Sequence, residues 1–236
     1  VYYQKPSKWK TGLERAIVET VLALVADNRR QAALPLQLPG KSLFDGKSLT
    51  GWKKTTFGGQ GEVTIRNGQL ILEIGADMTG VTWNRPQPPP TWDYEITLDT
   101  MRVDGHDFFC GLTFPVGKDP CSLILGGWGG GVCGLSSIDG NDASENDTTG
   151  YQEFQNGRWY RVRLQVTHKR IRAWIDGKEL LDQPLKGHKI GIRGEVDLSR
   201  PLGLATWQTA GAVRNLRIRT ITAAERPSKS PRKNPK

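Results

Sequence analysis

Residues 156–180 read NGRWYRVRLQVTHKRIRAWIDGKEL, and their two-residue rhythm decides the class of fold. Tyr160, Val162, Leu164 and Val166 are apolar, while Arg161, Arg163, Gln165 and Thr167 stand between them. That is the pattern of a strand with one face on a core and the other turned outward. The alternation resumes in RIRAWI, and Asp176-Gly177 then supplies a hairpin turn, because Gly reaches positive φ without a Cβ clash and Asp can bond its own backbone. Working outward, EVTIRNGQLILEI (62–74) is a second hairpin about Asn67-Gly68, and TWDYEITLDTMRV (91–103) sets Tyr94, Ile96 and Leu98 against Glu95, Thr97 and Asp99. VRNLRIRTI (213–221) closes the series, and 108–114, 121–127 and 132–137 read as a strand meander. With 28 Gly and 14 Pro among 236 residues, the chain has the punctuation that many short strands need. About a dozen strands with one apolar face each require two sheets packed face to face. The expected fold is all-β, a sandwich of two antiparallel sheets.

Residues 11–31 carry the one good helical pattern, with a Thr11/Glu14 capping box and Leu13, Ile17, Val21, Leu22 and Val25 at helical spacing. A signal peptide competes for this stretch, given Lys5, Lys8 and Lys10 ahead of AIVETVLALVA, but Glu19 in the apolar run and DNRRQ after it oppose that reading. The expected organisation is a peripheral helix and linker over 1–41, a β-sandwich domain over 42–222, and a disordered basic tail over 223–236. The net charge of +9 follows the same division. Residues 1–33 hold six Lys/Arg against three acids, and 225–236 hold five against one, which leaves 22 against 20 for the body. The basicity belongs to the ends, so the body shows no footprint for a specific nucleic-acid partner. No apolar run nears the roughly 18 residues of a membrane-spanning helix, and no membrane insertion is expected. Cys110, Cys121 and Cys133 fit no zinc or redox spacing. The simplest registers of the meander oppose Cys110 to Leu125 and Cys133 to Gly126, which predicts free, buried thiols.

Three segments together resemble a known family. SLFDGKSLTGW (42–52) looks like its opening motif, residues 156–180 like its pattern of Gly, Trp, alternating strand and hairpin, and LGLATWQTAGAVRNLRIRTI (202–221) like its last two strands, lying side by side. The family is the 3-keto-disaccharide hydrolase domain, of the concanavalin A-like lectin/glucanase jelly-roll fold, and the resemblance spans residues 42–221. It implies a carbohydrate-active domain that hydrolyses 3-keto-glycosides or related saccharides, a saccharide partner, and an extracytoplasmic location, periplasmic or secreted. It also implies that Leu43, Phe44 and Trp52 seal one end of the sandwich. Where the family commonly carries a Gly-aromatic-Glu-x-Gln run, this chain reads GGWGGGVCGLSSIDG (126–140), with neither Glu nor Gln.

Candidate chemistry gathers in the middle of the chain. No Lys or Arg falls between Lys118 and Arg158, whereas Asp119, Asp139, Asp142, Glu145, Asp147 and Glu153 all do. Glycosidic cleavage commonly uses two carboxyl groups, one protonated and one ionised, and Asp139 with Glu145 is the first candidate pair. His106 beside Asp107 is a candidate acid or base. No cofactor is called for, although calcium is conceivable through Asp139, Asp142 and Asp147 with Asn141 and Glu145, because hard oxygen ligands suit that ion. The spacing departs from an EF-hand. Sugar binding needs flat apolar surface beside directional polar groups. Trp128 within GGWGGG, Trp83 with Arg85, and Trp207 are candidates for it, with Asp107 as a polar neighbour. Two other functions compete: a glycan-binding module without catalysis, and a charge-driven binder of anionic polymers through Arg161, Arg163, Arg170, Arg172, Arg217 and Arg219 on one sheet face.

Overall fold

A computed structural model of the chain describes residues 15–20, 22, 39–222 and 225. The chain divides into two compact units, Val1–Gln37 and Leu38–Lys236. In the first, residues 15–20 and 22 are helical, with an Arg15–Glu19 pair at 3.0 Å and the Thr20 hydroxyl donating to the Ala16 carbonyl at 2.8 Å. The Thr11/Glu14 capping box, the remainder of the expected 11–31 helix and nearly all of the expected tail lie outside the described residues.

The second unit is a jelly-roll β-sandwich. Its strands in chain order are β1 (Lys41–Ser42), β2 (Trp52–Lys54), β3 (Val63–Arg66), β4 (Gln69–Leu72), β5 (Met78–Trp83), β6 (Tyr94–Asp104), β7 (Cys110–Val116) and β8 (Asp119–Gly127). There follow β9 (Val132–Ser136), β10 (Gly150–Tyr151), β11 (Trp159–Val166), β12 (Arg170–Ile175), β13 (Lys178–Pro184), β14 (Gly203–Trp207) and β15 (Ala210–Thr220), with a 3-10 helix at Gly194–Ser199. One sheet runs β13-β12-β11-β6-β15-β4-β3, with β1 also on β15; the other runs β10-β9-β8-β7-β14-β5-β2. The core lies between them, and its rows come from the expected apolar positions. Tyr94, Ile96 and Leu98 of β6, Tyr160, Val162 and Leu164 of β11, and Cys121, Leu123 and Leu125 of β8 are all at most 1% exposed.

Leu43, Phe44 and Trp52 join this core, as the opening segment predicts. The Leu43 carbonyl accepts the Trp52 indole N–H at 2.8 Å, and the Leu43 amide donates to Leu216 at 2.9 Å. Asp45 closes the turn between them by accepting the Lys47 and Ser48 amides, which hold its carboxyl at about 2.

Three expectations are corrected. Cys133 opposes Leu125 rather than Gly126, because Gly126, at φ +76°, bulges out of the β8–β9 ladder. The three thiols are free and buried, and desolvation pushes Cys110 and Cys121 up to about 12. The last two strands do not sit side by side: β14 belongs to the seven-stranded sheet and β15 to the other, because the chain reverses at Gln208, at φ +44°, and crosses between sheets. The arginine rows do lie on the outer face of the eight-stranded sheet, but they are not free cations. Asp99, buried, accepts Arg161 Nε at 2.7 Å, Asn215 Nδ2 at 2.8 Å and Arg214 Nε at 3.4 Å. Glu95, equally buried, accepts Arg219 Nε at 2.8 Å and Gln165 Nε2 at 2.7 Å. Arg170 and Arg172 pair with Asp182 and Glu179, Arg163 and Arg172 lie over Trp174, and Arg217 donates to the Gly40 carbonyl. A buried carboxylate has to be compensated by such donors, so the guanidiniums that a polymer binder would use are already engaged.

Leu98 is fully buried and pairs with Val162 within the uninterrupted β6–β11 ladder. Leu98→Ala is expected to lower the unfolding free energy by about 2–5 kcal/mol in urea titration, the usual cost of a cavity at such a position.

Candidate functional site

The seven-stranded sheet presents an outer face of small residues. Period two turns Cys110, Leu112, Cys121, Leu123, Cys133 and Leu135 inward, and therefore Gly111, Thr113, Ser122, Ile124, Gly134 and Ser136 outward. Register aligns these across the strands: Gly80, Ala205, Gly111, Ile124 and Gly134 form one row, and Gly203, Thr113, Ser122 and Ser136 the next. Surrounding loops fold onto this low floor. A cleft of about 240 Å³ remains, floored by Ser122, Ile124, Ser136 and Met78 and walled by Trp207, Trp128, Asp107, Phe108 and the Arg193–Val196 segment.

Each wall is positioned by an identifiable contact. Asp107 Oδ1 accepts the Phe108 amide at 2.7 Å, and Oδ2 accepts the Gly129 amide at 3.3 Å, so this carboxylate ties the β8–β9 turn to the loop before β7. Trp128 sits in that turn at φ +48°, an uncommon conformation for a bulky residue and one that a site constraint has to hold. The residue is 43% exposed. Across the cleft Trp207 packs on Phe108 with centroids 6.4 Å apart, and its amide donates to the Phe108 carbonyl at 3.0 Å.

The charged wall comes from the first turn of the 3-10 helix. Arg193 donates to Glu195 at 2.6 Å through Nη2 and at 3.3 Å through Nε, while Nη1 donates to Asp142 at 2.6 Å. Arg193 holds the Glu195 carboxyl below the ordinary glutamate range, and Glu195 in turn raises the guanidinium. Burial lifts Asp142, but the Ser144 hydroxyl and amide together with Arg193 outweigh it and leave the carboxyl lowered. The result is a fixed row of carboxylate, guanidinium and carboxylate, with Glu195 at the cleft.

Trp128, Trp207 and Asp107, named from the sequence, are brought together here, whereas the other candidates are placed elsewhere. His106 is exposed and does not line the cleft. Asp139 accepts the Lys189 amide at 2.6 Å and meets His188 Nδ1 at 2.7 Å; these bonds lower its carboxyl and pin two loops together. Glu145 is exposed outside the cleft, so Asp139 and Glu145 do not form a facing acid/base pair within it. The segment 138–150 is folded down by Asn146, whose Nδ2 donates to the Leu135, Asn141 and Asp142 carbonyls. Asp139, Asp142 and Asp147 do not converge, and among the described residues no group of three His, Cys, Asp or Glu side chains is arranged for a metal. Asp142 takes the Arg193 cation instead. Trp83 and Arg85 pack against the opening segment: Trp83 lies edge-on to Trp52 at 5.8 Å, and Arg85 Nη2 donates to the Leu43 carbonyl at 2.8 Å. Trp83 stands five residues along β5 from Met78, roughly 16 Å at strand rise. No motif in KIGIRGEVDLS points to Arg193 and Glu195, and its alternating Ile190, Ile192, Val196 and Leu198 read as strand rather than as site.

The family model described as 3-keto-alpha-glucoside-1,2-lyase-like domain matches residues 39–219. No curated protein sequence matches the chain. Among solved structures, a sialidase is similar with a TM-score of 0.54 at 11% identity over 77% of this chain and 18% of its own. A second, from work on endo-acting O-glycanases with which prominent human gut microbiota initiate mucin breakdown, gives 0.52 at 14% identity over 77% and 98%. A carbohydrate-binding module from Bacillus subtilis gives 0.48 at 12% identity over 77% and 100%. At these identities the likeness is one of fold.

Asp107→Ala is expected to speed amide hydrogen exchange at Phe108 and Gly129 by about tenfold, the loss of one charge-assisted bond each. Exchange in the β7–β8 ladder should stay unchanged.

Proposed function

This chain belongs to the family of 3-keto-alpha-glucoside-1,2-lyase-like domains, carbohydrate-active β-sandwiches, and from that premise we propose that its cleft cleaves 3-keto-glycosides by removing the proton at C2. The observation that carries the reading is the Glu195–Arg193 pair at the cleft, a carboxylate kept ionised beside a fixed cation between two tryptophans. A two-carboxyl glycosidase needs one carboxyl raised so that it can donate a proton. Glu195 is lowered, and both Asp107 oxygens accept backbone amides, so neither is arranged as that donor.

The chemistry follows from the substrate class. A carbonyl at C3 acidifies the C2–H bond. Glu195 takes that proton, and the electron pair moves onto the C3 oxygen, where the Arg193 guanidinium stabilises the enolate charge. The pair then returns to form the C1=C2 double bond and expels the C1 oxygen, which leaves protonated by Glu195 or by solvent. Trp128 and Trp207 supply apolar faces for the ring, and the Ser122 and Ser136 row lies beneath it. This replaces the expected Asp139/Glu145 hydrolysis with elimination, and the reading retains the extracytoplasmic location that the family resemblance implies.

Glu195→Gln is expected to lower kcat by about 10²–10⁴-fold on 3-keto-glycosides, with product measured by mass spectrometry and saccharide affinity preserved. Affinity without turnover in the unaltered protein would instead identify a glycan-binding module. A lowered carboxyl stays deprotonated as pH falls through the ordinary glutamate value of 4.5 and is protonated only below it. The acid limb of kcat is therefore expected beneath pH 4.5, and Arg193→Met is expected to move it upward while lowering kcat.

A further inference from the structure

We propose that Tyr151 forms a second sugar platform, receiving the leaving-group saccharide next to the ring held in the cleft; this rests on the cleft reading above. Among the described Phe, Tyr and Trp residues, Tyr151 and Trp128 are the two exposed ones, at 75% and 43%. Trp128 lies in the turn before β9, and Tyr151 on β10 rests its ring against that turn. Trp128 begins the turn that ends at Gly131, and a Cβ at Gly131 would stand 2.2 Å from the Tyr151 ring, so the ring lies directly over that glycine. The absence of a side chain there is what lets the tyrosine settle on the backbone.

Trp128 lines the cleft on the outer face, and register places Tyr151 on that same face. Tyr151 pairs with Val132, and Val132 alternates with the inward Cys133, so β10 presents Tyr151 on the face that carries the cleft. The platform is also anchored: Gly150 pairs with Cys133, and the Gln152 amide donates to the Gly131 carbonyl at 2.9 Å. A flat ring fixed on a strand edge, with no core role, suits the apolar face of a pyranose. The cleft, at about 240 Å³, is smaller than the roughly 300–1,000 Å³ of sites that enclose larger ligands. It accommodates one ring, and the next unit of a disaccharide has to lie outside it. The turn from Trp128 to Gly131 is the continuous surface leading there, which commits the platform to the aglycone sugar.

The test compares methyl 3-keto-α-glucoside with an α-linked 3-keto disaccharide, measuring kcat and KM for the unaltered protein and for Tyr151→Ala. Tyr151→Ala is expected to raise KM for the disaccharide about tenfold, the size of one lost stacking contact, and to leave the methyl glycoside unchanged. Gly131→Ala, which displaces the ring, should copy it, and Tyr151→Phe should not. If the protein binds without cleaving, dissociation constants replace KM and the same comparison decides. Equal losses on both ligands, or none, would overturn the platform while leaving the cleft reading intact. Failure of the unaltered protein to bind either ligand would overturn the cleft reading, and the platform with it.

Discussion

The register of β6 is the constraint on which the rest of the second unit depends. This strand is paired on both edges, to β11 and to β15, and buried on both faces. Tyr94, Ile96 and Leu98 on its inward face are apolar, and its outward residues include Glu95 and Asp99. A slip of one residue would exchange the two sets and drive both carboxylates into the core, at a cost no single packing change could offset. The outer face resolves its own burial by gathering arginines over the carboxylates and stacking them on Trp174 and Trp159. These charges specify the sheet rather than a partner.

The opposite sheet obeys the same parity, with a different outcome. Once β7, β8 and β9 turn Cys, Leu and Phe inward, their remaining positions form the outer face, and at its centre the sequence supplies Gly111, Thr113, Ser122, Ile124, Gly134 and Ser136. Small residues leave the floor low, loops rise around it, and the 3-10 helix sets Arg193 and Glu195 at its edge. Asp142 links that edge to the loop folded over β9, so the electrostatics of the cleft and the packing of residues 138–150 are one arrangement. The polar wall is held by charge-assisted bonds, which are the stronger kind.

Much of the fold was legible because alternation is a local signal. The strands at 62–74, 91–103 and 156–180, and the closing strand at 213–221, could each be read from their own residues. Trp128 was legible for a similar reason, since an indole among glycines has little to bury it. Asp139 and Glu145 misled because acidic density along the chain says nothing of what each carboxylate meets in space, and Asp139 finds Lys189 and His188 fifty residues away. Arg193 and Glu195 depend on Asp142 and on the close of the 3-10 helix over β5 and β14, whereas the alternation of Ile190, Ile192, Val196 and Leu198 suggests a strand there. Cys133 was misplaced by one position because a bulge at Gly126 is a choice of conformation that Gly allows but does not require.

Elimination requires that the C2 proton be removed in the cleft. The direct measurement is cleavage of a 3-keto-glycoside carrying deuterium at C2, followed by mass spectrometry of the released sugar and by comparison of rates with the unlabelled substrate. Elimination predicts slower cleavage of the labelled substrate and loss of the label to solvent. Cleavage at an equal rate, with deuterium retained at C2, would contradict it and return the site to hydrolysis.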